Sequence, residues 1–113
     1  MTDFPKPPQG KKIVYLEIWQ EFVPSVTGWQ PLNLSAYIPA EAICDFMIIN
    51  SSPNKDYIAG LRKTGSTMER TADVDADTSI NFIVAAGVSA TVEAYTDDIA
   101  NIKFILVGYW VEI

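Results

Sequence analysis

Apolar and polar residues alternate along most of the chain, in short runs that turn residues separate. In the first run, Val14, Leu16, Ile18 and Phe22 fall on one face of an extended segment, and Gln20 is the polar exception on that face. Two-residue periodicity with β-branched and aromatic side chains is typical of a strand with one buried face. We therefore expect a half-buried strand here.

Six further runs carry strand patterns, at residues 29–34, 42–50, 57–63, 78–84, 88–95 and 102–113. Pro31 cannot donate a ladder hydrogen bond, which predicts that its strand lies at a sheet edge. Gly60 indicates a bulge or a close approach of another segment, and the mostly polar residues 68–77 have room for one short edge strand. No run has the periodicity of an amphipathic helix. Seven or eight short strands predict an all-β fold, a single-domain β-sandwich of the jelly-roll or Greek-key type.

The first twelve residues differ from this pattern, and we expect them to form an extended arm (residues 1–12) ahead of the β-sandwich domain (residues 13–113). The arm is rich in proline and lysine and carries a net charge of +2, whereas the rest of the chain carries −8. Fully extended, it spans about 40 Å, enough to contact a neighbouring molecule. A disordered N-terminus is the alternative. The candidate partner-binding residues of the arm are Phe4, Pro5, Lys6, Pro7, Lys11 and Lys12.

Composition excludes several classes of function. The chain has no histidine and a single cysteine, Cys44, so it offers no histidine-based triad, no histidine-ligated zinc site and no intramolecular disulfide. A net charge of −6 argues against general nucleic-acid binding. No apolar leader and no run of about 18 apolar residues occurs, so we expect a soluble protein, made in the cytoplasm, with no membrane partner.

Carboxylates provide the remaining candidates for chemistry. Asp73, Asp75 and Asp77 alternate, and in an extended segment they would present oxygen ligands on one side. An EF-hand loop is excluded because the required Gly and Glu positions hold Thr78 and Val84. A solvated acidic turn and a cation held between subunits stay open as interpretations. We expect no catalytic residue, no resident metal and no cofactor, and we expect Cys44 to pack in the core.

Aromatic residues exceed what a small core requires. Tyr15 and Trp19 lie on the more polar face of the first strand, and Trp29 opens the second. Such residues serve as a partner interface, as ordinary packing or as a platform for sugars. Arg62 shares a strand face with Gly60, where it would either meet a partner's carboxylate or stay solvated. We take Tyr15, Trp19, Trp29 and Arg62 as further candidates for partner binding.

Three stretches together resemble a known group of proteins: residues 29–39 (WQPLNLSAYIP), residues 59–66 (AGLRKTGS) followed by Arg70, and residues 93–95 (EAY) followed by 104–110 (FILVGYW). They resemble small β-sandwich proteins of tailed-bacteriophage virions, including the head decoration or cement proteins. The shared features are strand and turn patterns and not chemical signatures. The resemblance covers roughly residues 27–113.

The resemblance implies a jelly roll that binds the outside of an assembled phage head and clamps neighbouring subunits of the major capsid protein. It also implies self-association as a dimer or trimer at a capsid symmetry axis. Related β-sandwich modules occur in tails and fibres, so the alternative that it implies is a carbohydrate-binding or receptor-binding module there. A non-enzymatic role agrees with the composition.

Overall fold

The computed structural model of the protein describes residues 12–112, and in this part of the chain the regular structure is β-strand throughout. The eight strands are β1 (Ile13–Phe22), β2 (Gly28–Asn33), β3 (Ile43–Asn50), β4 (Tyr57–Lys63), β5 (Thr71–Val74), β6 (Thr78–Ala85), β7 (Thr91–Thr96) and β8 (Ile102–Glu112). Ile113, the last residue of the predicted final strand, lies outside the described residues.

The strands form two four-stranded antiparallel sheets. The first sheet has the order β1-β8-β3-β6 and the second has the order β2-β7-β4-β5. Every connection crosses from one sheet to the other except the β4–β5 link, which is the pattern of an eight-stranded jelly roll. The predicted fold class is confirmed. The prediction that Pro31 marks an edge strand is also confirmed, because β2 is at the edge of the second sheet.

The core lies between the two sheets and is built by the inward-facing residue of each alternating pair. Its largest fully buried side chains include Phe46 of β3, Phe104 of β8 and Leu61 of β4. Cys44 is also fully buried in this cluster, so the prediction that it packs as a small apolar residue is confirmed. In β1 the predicted core-facing residues Ile18 and Phe22 pack against the core, and Phe22 lies against Phe46 with ring centroids 6.4 Å apart. The prediction is wrong for Leu16, which is 41% exposed.

One buried amide connects the ends of the two sheets. The Nδ2 of Asn50, at the end of β3, donates to the carbonyl oxygens of Lys55 (2.7 Å) and of Val74 in β5 (3.0 Å). Its Oδ1 accepts a hydrogen bond from the backbone N–H of Ser52 at 2.9 Å. Because every polar group of this side chain is paired, its burial is compensated and it fixes the turn after β3.

Residues 68–77 contain the short edge strand that the sequence had room for, β5, and it pairs with β4. Gly60 of β4 marks a close approach, as expected, because a Cβ there would overlap the backbone carbonyl of Arg70. The predicted strand over residues 88–95 is wrong at its beginning, since β7 starts only at Thr91. The preceding residues form a turn in which the Gly87 N–H donates to the Thr91 carbonyl at 2.9 Å and Ala90 has a φ of 55°.

Strand β8 is irregular at its centre, and this decides which side chains reach the surface. Asp45 of β3 pairs with Gly108 and the next residue of β3, Phe46, pairs with Leu106, so Val107 is an extra residue on β8. A bulge of this kind reverses the faces of the residues that follow it. Strict alternation from Leu106 would turn Trp110 toward the core. With the bulge, Trp110 shares the outer face with Gly108.

Candidate interaction surfaces

The outer face of the first sheet (first outer face) carries a cluster around Tyr15. Its ring packs on Trp110 of the neighbouring strand, with ring centroids 4.8 Å apart, and its hydroxyl donates to Oδ2 of Asp45 on β3 at 3.0 Å. To reach Asp45 the ring crosses β8 above Gly108, where any Cβ would overlap the phenol. Glycine at this position therefore permits a contact that spans three strands.

The Asp45 carboxylate affects the ionisation of the Tyr15 phenol. Partial burial, together with the hydrogen bond to the Asp45 carboxylate and its negative charge, raises the pKa of Tyr15 above its usual value of 10.0. The hydroxyl therefore stays a hydrogen-bond donor at neutral pH. The second oxygen of Asp45, Oδ1, is buried and has no hydrogen-bond partner among residues 12–112. A buried carboxylate oxygen without a donor is costly, so this oxygen is the least satisfied polar atom of the face.

On the β3 and β6 side of this cluster, the first outer face is apolar. Ile43 pairs with Trp110 on one side and Ala85 on the other, and Ile83 pairs with Asp45. Ile43 is 40% exposed and Ile83 is 44% exposed, although neither is at a turn. Near the sheet edge, Trp19 is 65% exposed. Large apolar side chains that lie side by side on an open sheet face are typical of an interaction site.

The outer face of the second sheet (second outer face) has a different character, because its charged and aromatic side chains contact one another. The guanidinium of Arg62 on β4 lies 3.9 Å from the ring centroid of Trp29, and its Nε donates to Oε1 of Glu93 at 2.7 Å. Its Nη1 donates to the carbonyl oxygen of Met68 at 3.1 Å. Tyr95 packs edge-on against Trp29 with ring centroids 5.4 Å apart. Cation–π stacking and a charged hydrogen bond thus occupy the groups that would meet a ligand.

Only a small hollow remains beside this cluster. Its volume is about 110 Å³, and it is lined by Trp29, Gln30, Pro31, Arg62 and Glu93. Ligand pockets are usually several times larger. Arg62 is 14% exposed, so it is neither a solvated charge nor free to meet a partner's carboxylate without leaving Glu93.

The structure therefore sorts the predicted partner-binding residues into separate places. Tyr15 and Trp19 lie on the first outer face, whereas Trp29 and Arg62 are in contact on the second. Lys12 is exposed immediately before β1. The other arm candidates lie outside the described residues: Phe4, Pro5, Lys6, Pro7 and Lys11. Their role stays a prediction.

Sequence reasoning missed Trp110, Asp45 and Glu93 as members of these clusters. A signal was present for Asp45, since it is the one charged residue in the apolar run of β3. No comparable signal marked Trp110, because its outward direction depends on the bulge at Val107. Glu93 lies beside Arg62 because β4 and β7 pair in a register that places the two residues opposite each other, and the sequence does not show this register.

The three aspartates of residues 73–77 do not lie in one extended segment. Asp73 is in β5, whereas Asp75 and Asp77 belong to the turn that leads into β6, and Asp77 has a φ of 55°. A hydrogen bond from the Ala76 N–H to Asp56 Oδ1, at 2.9 Å, connects this turn to the segment before β4. Within residues 12–112 no group of three or more acidic or cysteine side chains is arranged to hold a metal ion.

Cys44 carries the single thiol of the chain, and this thiol is unreactive as a nucleophile near neutral pH. Burial raises its pKa to about 12, so the thiolate is not populated near neutral pH.

No described segment forms a helix long and apolar enough to cross a membrane.

Comparison with solved structures shows a similarity to a viral coat protein. The chain is similar to the coat protein of Tobacco streak virus, with a TM-score of 0.47 and 11% sequence identity over 95% of this chain and 88% of that one. No protein-family model and no curated protein matches the sequence.

Proposed function

We propose that this protein is a structural component of a tailed-phage virion, which binds the outer surface of the assembled head and stabilises contacts between major capsid protein subunits. The resemblance of residues 27–113 to head decoration proteins implied a jelly roll, and the strand order is that of a jelly roll. The observation that carries the proposal is the open apolar face of that fold. Ile43 and Ile83 are neighbours on one sheet face, and covering them with a partner surface would bury apolar area and favour association.

The mechanism is binding that favours the assembled state. A protein that binds the shell but not free capsid subunits lowers the free energy of the shell by mass action. A typical interface buries about 800 Å² on each partner. Repetition over a symmetric shell adds avidity to contacts that are individually weak. No covalent chemistry is required, and the protein acts without catalysis or a cofactor.

Two parts of the chain supply the contacts. The first outer face offers Tyr15, Trp19 and the apolar side chains near Trp110. The arm, with Phe4 and its lysines, has the length to lie along a neighbouring subunit. Trp29 and Arg62 are engaged with each other and with Glu93 on the second outer face, so they are not separate anchors for a partner. Self-association as a dimer or trimer would place several copies of these surfaces at one symmetry axis.

Binding to phage heads is the direct test. Purified protein is mixed with heads that lack their own decoration protein, and the bound fraction is measured by co-sedimentation and by electron microscopy. We expect saturable binding to the outside of assembled heads and none to free capsid subunits. Binding to neither would refute the proposal. A variant without residues 1–12 should stay folded and bind with reduced occupancy, whereas unchanged occupancy would remove the arm from the mechanism.

A carbohydrate-binding role in a tail or fibre is the second candidate, and the exposure of Trp19 favours it. An indole that is 65% exposed on a sheet face can stack on a sugar ring. A glycan array tests this directly, together with tryptophan fluorescence during titration with any sugar that binds. Binding that Trp19→Ala abolishes would support this role. The absence of hits would dismiss it.

A further inference from the structure

The first sheet ends in a long strand that has a neighbour on one side only. β1 is the outermost strand of the order β1-β8-β3-β6, so among residues 12–112 it pairs with β8 alone. It is the longest of the four edge strands, with ten residues against six in β2, four in β5 and eight in β6. The backbone groups on the outer side of such a strand are a template for pairing with another strand.

The other three edges are protected by features that β1 lacks. β2 contains Pro31, which has no N–H to donate to a further strand, and β5 is short. The Ile83 carbonyl of β6 accepts a hydrogen bond from Nη2 of Arg70 at 2.9 Å, so a side chain occupies part of that edge. β1 contains no proline, and its Gln20 side chain, which donates to the neighbouring backbone carbonyl, lies beyond residues 13–19. We call residues 13–19 the open edge.

Apolar side chains are exposed on both sides of the open edge. Ile13 and Trp19 are exposed on the first outer face. Leu16 points to the core-facing side and is exposed as well, so the second sheet leaves it uncovered. A strand added at this edge would therefore satisfy backbone groups and also bury apolar area above and below them.

A second copy of the chain is complementary to the open edge. Antiparallel pairing of β1 with the same strand of another copy places a two-fold axis perpendicular to the sheet, so outer-face residues meet outer-face residues. With Leu16 on the axis, Leu16 faces itself and Ile13 faces Trp19, so exposed apolar side chains cover one another. With the axis one residue back or up to three residues further along, Glu17 faces itself, Glu21 or an apolar side chain. Like charges directly opposite each other are destabilising, which favours the axis at Leu16.

We propose that two copies of this chain associate through the open edge, by antiparallel pairing of residues 13–19 about a two-fold axis at Leu16. The two four-stranded first sheets then join into one continuous sheet. Both first outer faces lie on the same side of it, because the axis is perpendicular to the sheet. The inference deepens the proposed function and rests on it, since the doubled face offers a phage head two equal contacts.

Opposite charges at Leu16 test the position of the axis in the full-length chain. Leu16→Glu and Leu16→Lys should each weaken dimerisation at least about tenfold, because like charges would face each other across the axis. An equimolar mixture of the two variants should restore a dimer with one copy of each. The matched control is Ile58→Glu on the second outer face, which should dimerise like the wild-type chain, since Leu16 and Ile58 are 41% and 39% exposed.

Sedimentation velocity over a concentration series measures the association, and native mass spectrometry gives the composition of the mixed dimer. We expect the wild-type chain to be in a concentration-dependent equilibrium between monomer and dimer. A chain that stays monomeric throughout the series, or that forms a trimer, would overturn the proposal. Mixed variants that fail to form the heterodimer would overturn pairing about Leu16, provided that thermal unfolding shows each variant to be folded.

A single cysteine on the axis gives an independent measurement. Leu16→Cys sets two thiols opposite each other, whereas Ile58→Cys does not, and the native Cys44 is buried and does not compete. After mild oxidation, non-reducing electrophoresis should show a disulfide-linked dimer of the Leu16→Cys variant in several-fold higher yield. Equal yields from the two variants would contradict the proposal. These measurements use the free protein without phage heads, so their failure and a failure of head binding are separate results.

Discussion

The two outer faces of this jelly roll use similar residue types in opposite ways. On the second outer face, Arg62 is stacked on Trp29 and paired with Glu93, so the charge and the indole satisfy each other. On the first, Tyr15 and Trp110 are also in contact, with their rings tilted by 52°, but Oδ1 of Asp45 has no donor among residues 12–112 and isoleucines stay exposed around it. The aromatic and charged groups of the second outer face therefore satisfy one another, whereas those of the first outer face leave a carboxylate oxygen and apolar side chains without a partner among residues 12–112.

The largest effect is expected from opening the cluster on the second outer face. Arg62→Ala removes a charged hydrogen bond, a cation–π contact and the partner of a mostly buried Glu93, and we expect a loss of about 2 kcal/mol in the free energy of unfolding. Chemical denaturation measures it, with Arg62→Lys as an intermediate because lysine lacks the planar fork.

Lys103 provides the matched control for Arg62 on the other face. Its pair with Glu21 is exposed, so Lys103→Ala should cost at most about 0.5 kcal/mol. A double-mutant cycle of Arg62→Ala with Glu93→Ala should give a coupling of about 1–2 kcal/mol. A coupling near zero would mean that the second outer face is not closed by this pair.

The next effect concerns the glycine that allows Tyr15 to cross β8. Gly108→Ala places a methyl group where the phenol lies, which forces the ring away from Asp45. We expect a loss of about 1–2 kcal/mol in unfolding free energy. The same substitution in a Tyr15→Ala background should cost much less. If the two costs are equal, the close contact between these residues does not organise the first outer face.

Two equally exposed isoleucines, one on each outer face, test whether the faces differ in binding to phage heads while contributing equally to stability. Ile43 and Ile58 are 40% and 39% exposed on the first and second outer faces, respectively. Ile43→Ser should weaken binding to phage heads by about 1 kcal/mol, roughly fivefold in affinity, whereas Ile58→Ser should leave it unchanged. Both should change unfolding free energy similarly. Equal effects on head binding would remove the functional distinction between the faces.

The smallest effect is a pH dependence on the first outer face. Because the pKa of Tyr15 is raised in the folded protein, the folded state holds this proton more tightly than the unfolded state does. Its contribution to stability is therefore complete below pH 10 and is lost as the pH rises through the folded pKa. Phenolate absorbance measures the titration, and Asp45→Asn should shift it to lower pH. An unshifted titration would contradict the contact.

Much of the fold could be predicted from the sequence, because alternation reports burial directly. The pattern of β1 identified Ile18 and Phe22 as core-facing, and Pro31 identified an edge strand, since each depends on local chemistry. It failed for Leu16, which is exposed in the structure. The beginning of β7 was mispredicted because residues 88–90 continue the alternation of the strand but form the turn before it. Hydrogen bonds between Gly87 and residues 90–91 set the conformation of this turn. Periodicity does not distinguish such a turn from the strand that follows it.

The candidate surfaces could be predicted only in part. Tyr15, Trp19, Trp29 and Arg62 stood out as residues to examine, but their grouping into two faces depends on which strands are neighbours. Arg62 meets Glu93 because β4 lies beside β7, across a sequence separation of 31 residues. Long-range register of this kind results from the packing of the whole sandwich, and no local pattern contains it.

By itself the sequence determined the class of fold, the burial of Cys44 and the charge difference between residues 1–12 and the rest of the chain, because each follows from composition and two-residue periodicity. Only the tertiary structure decided which aromatic and charged residues are satisfied. The extra residue at Val107 turns Trp110 outward beside Tyr15, and Gly108 opens the path to Asp45. A bulge is defined by the mismatch between two paired strands, so the surface it creates exists only once the sheet has formed.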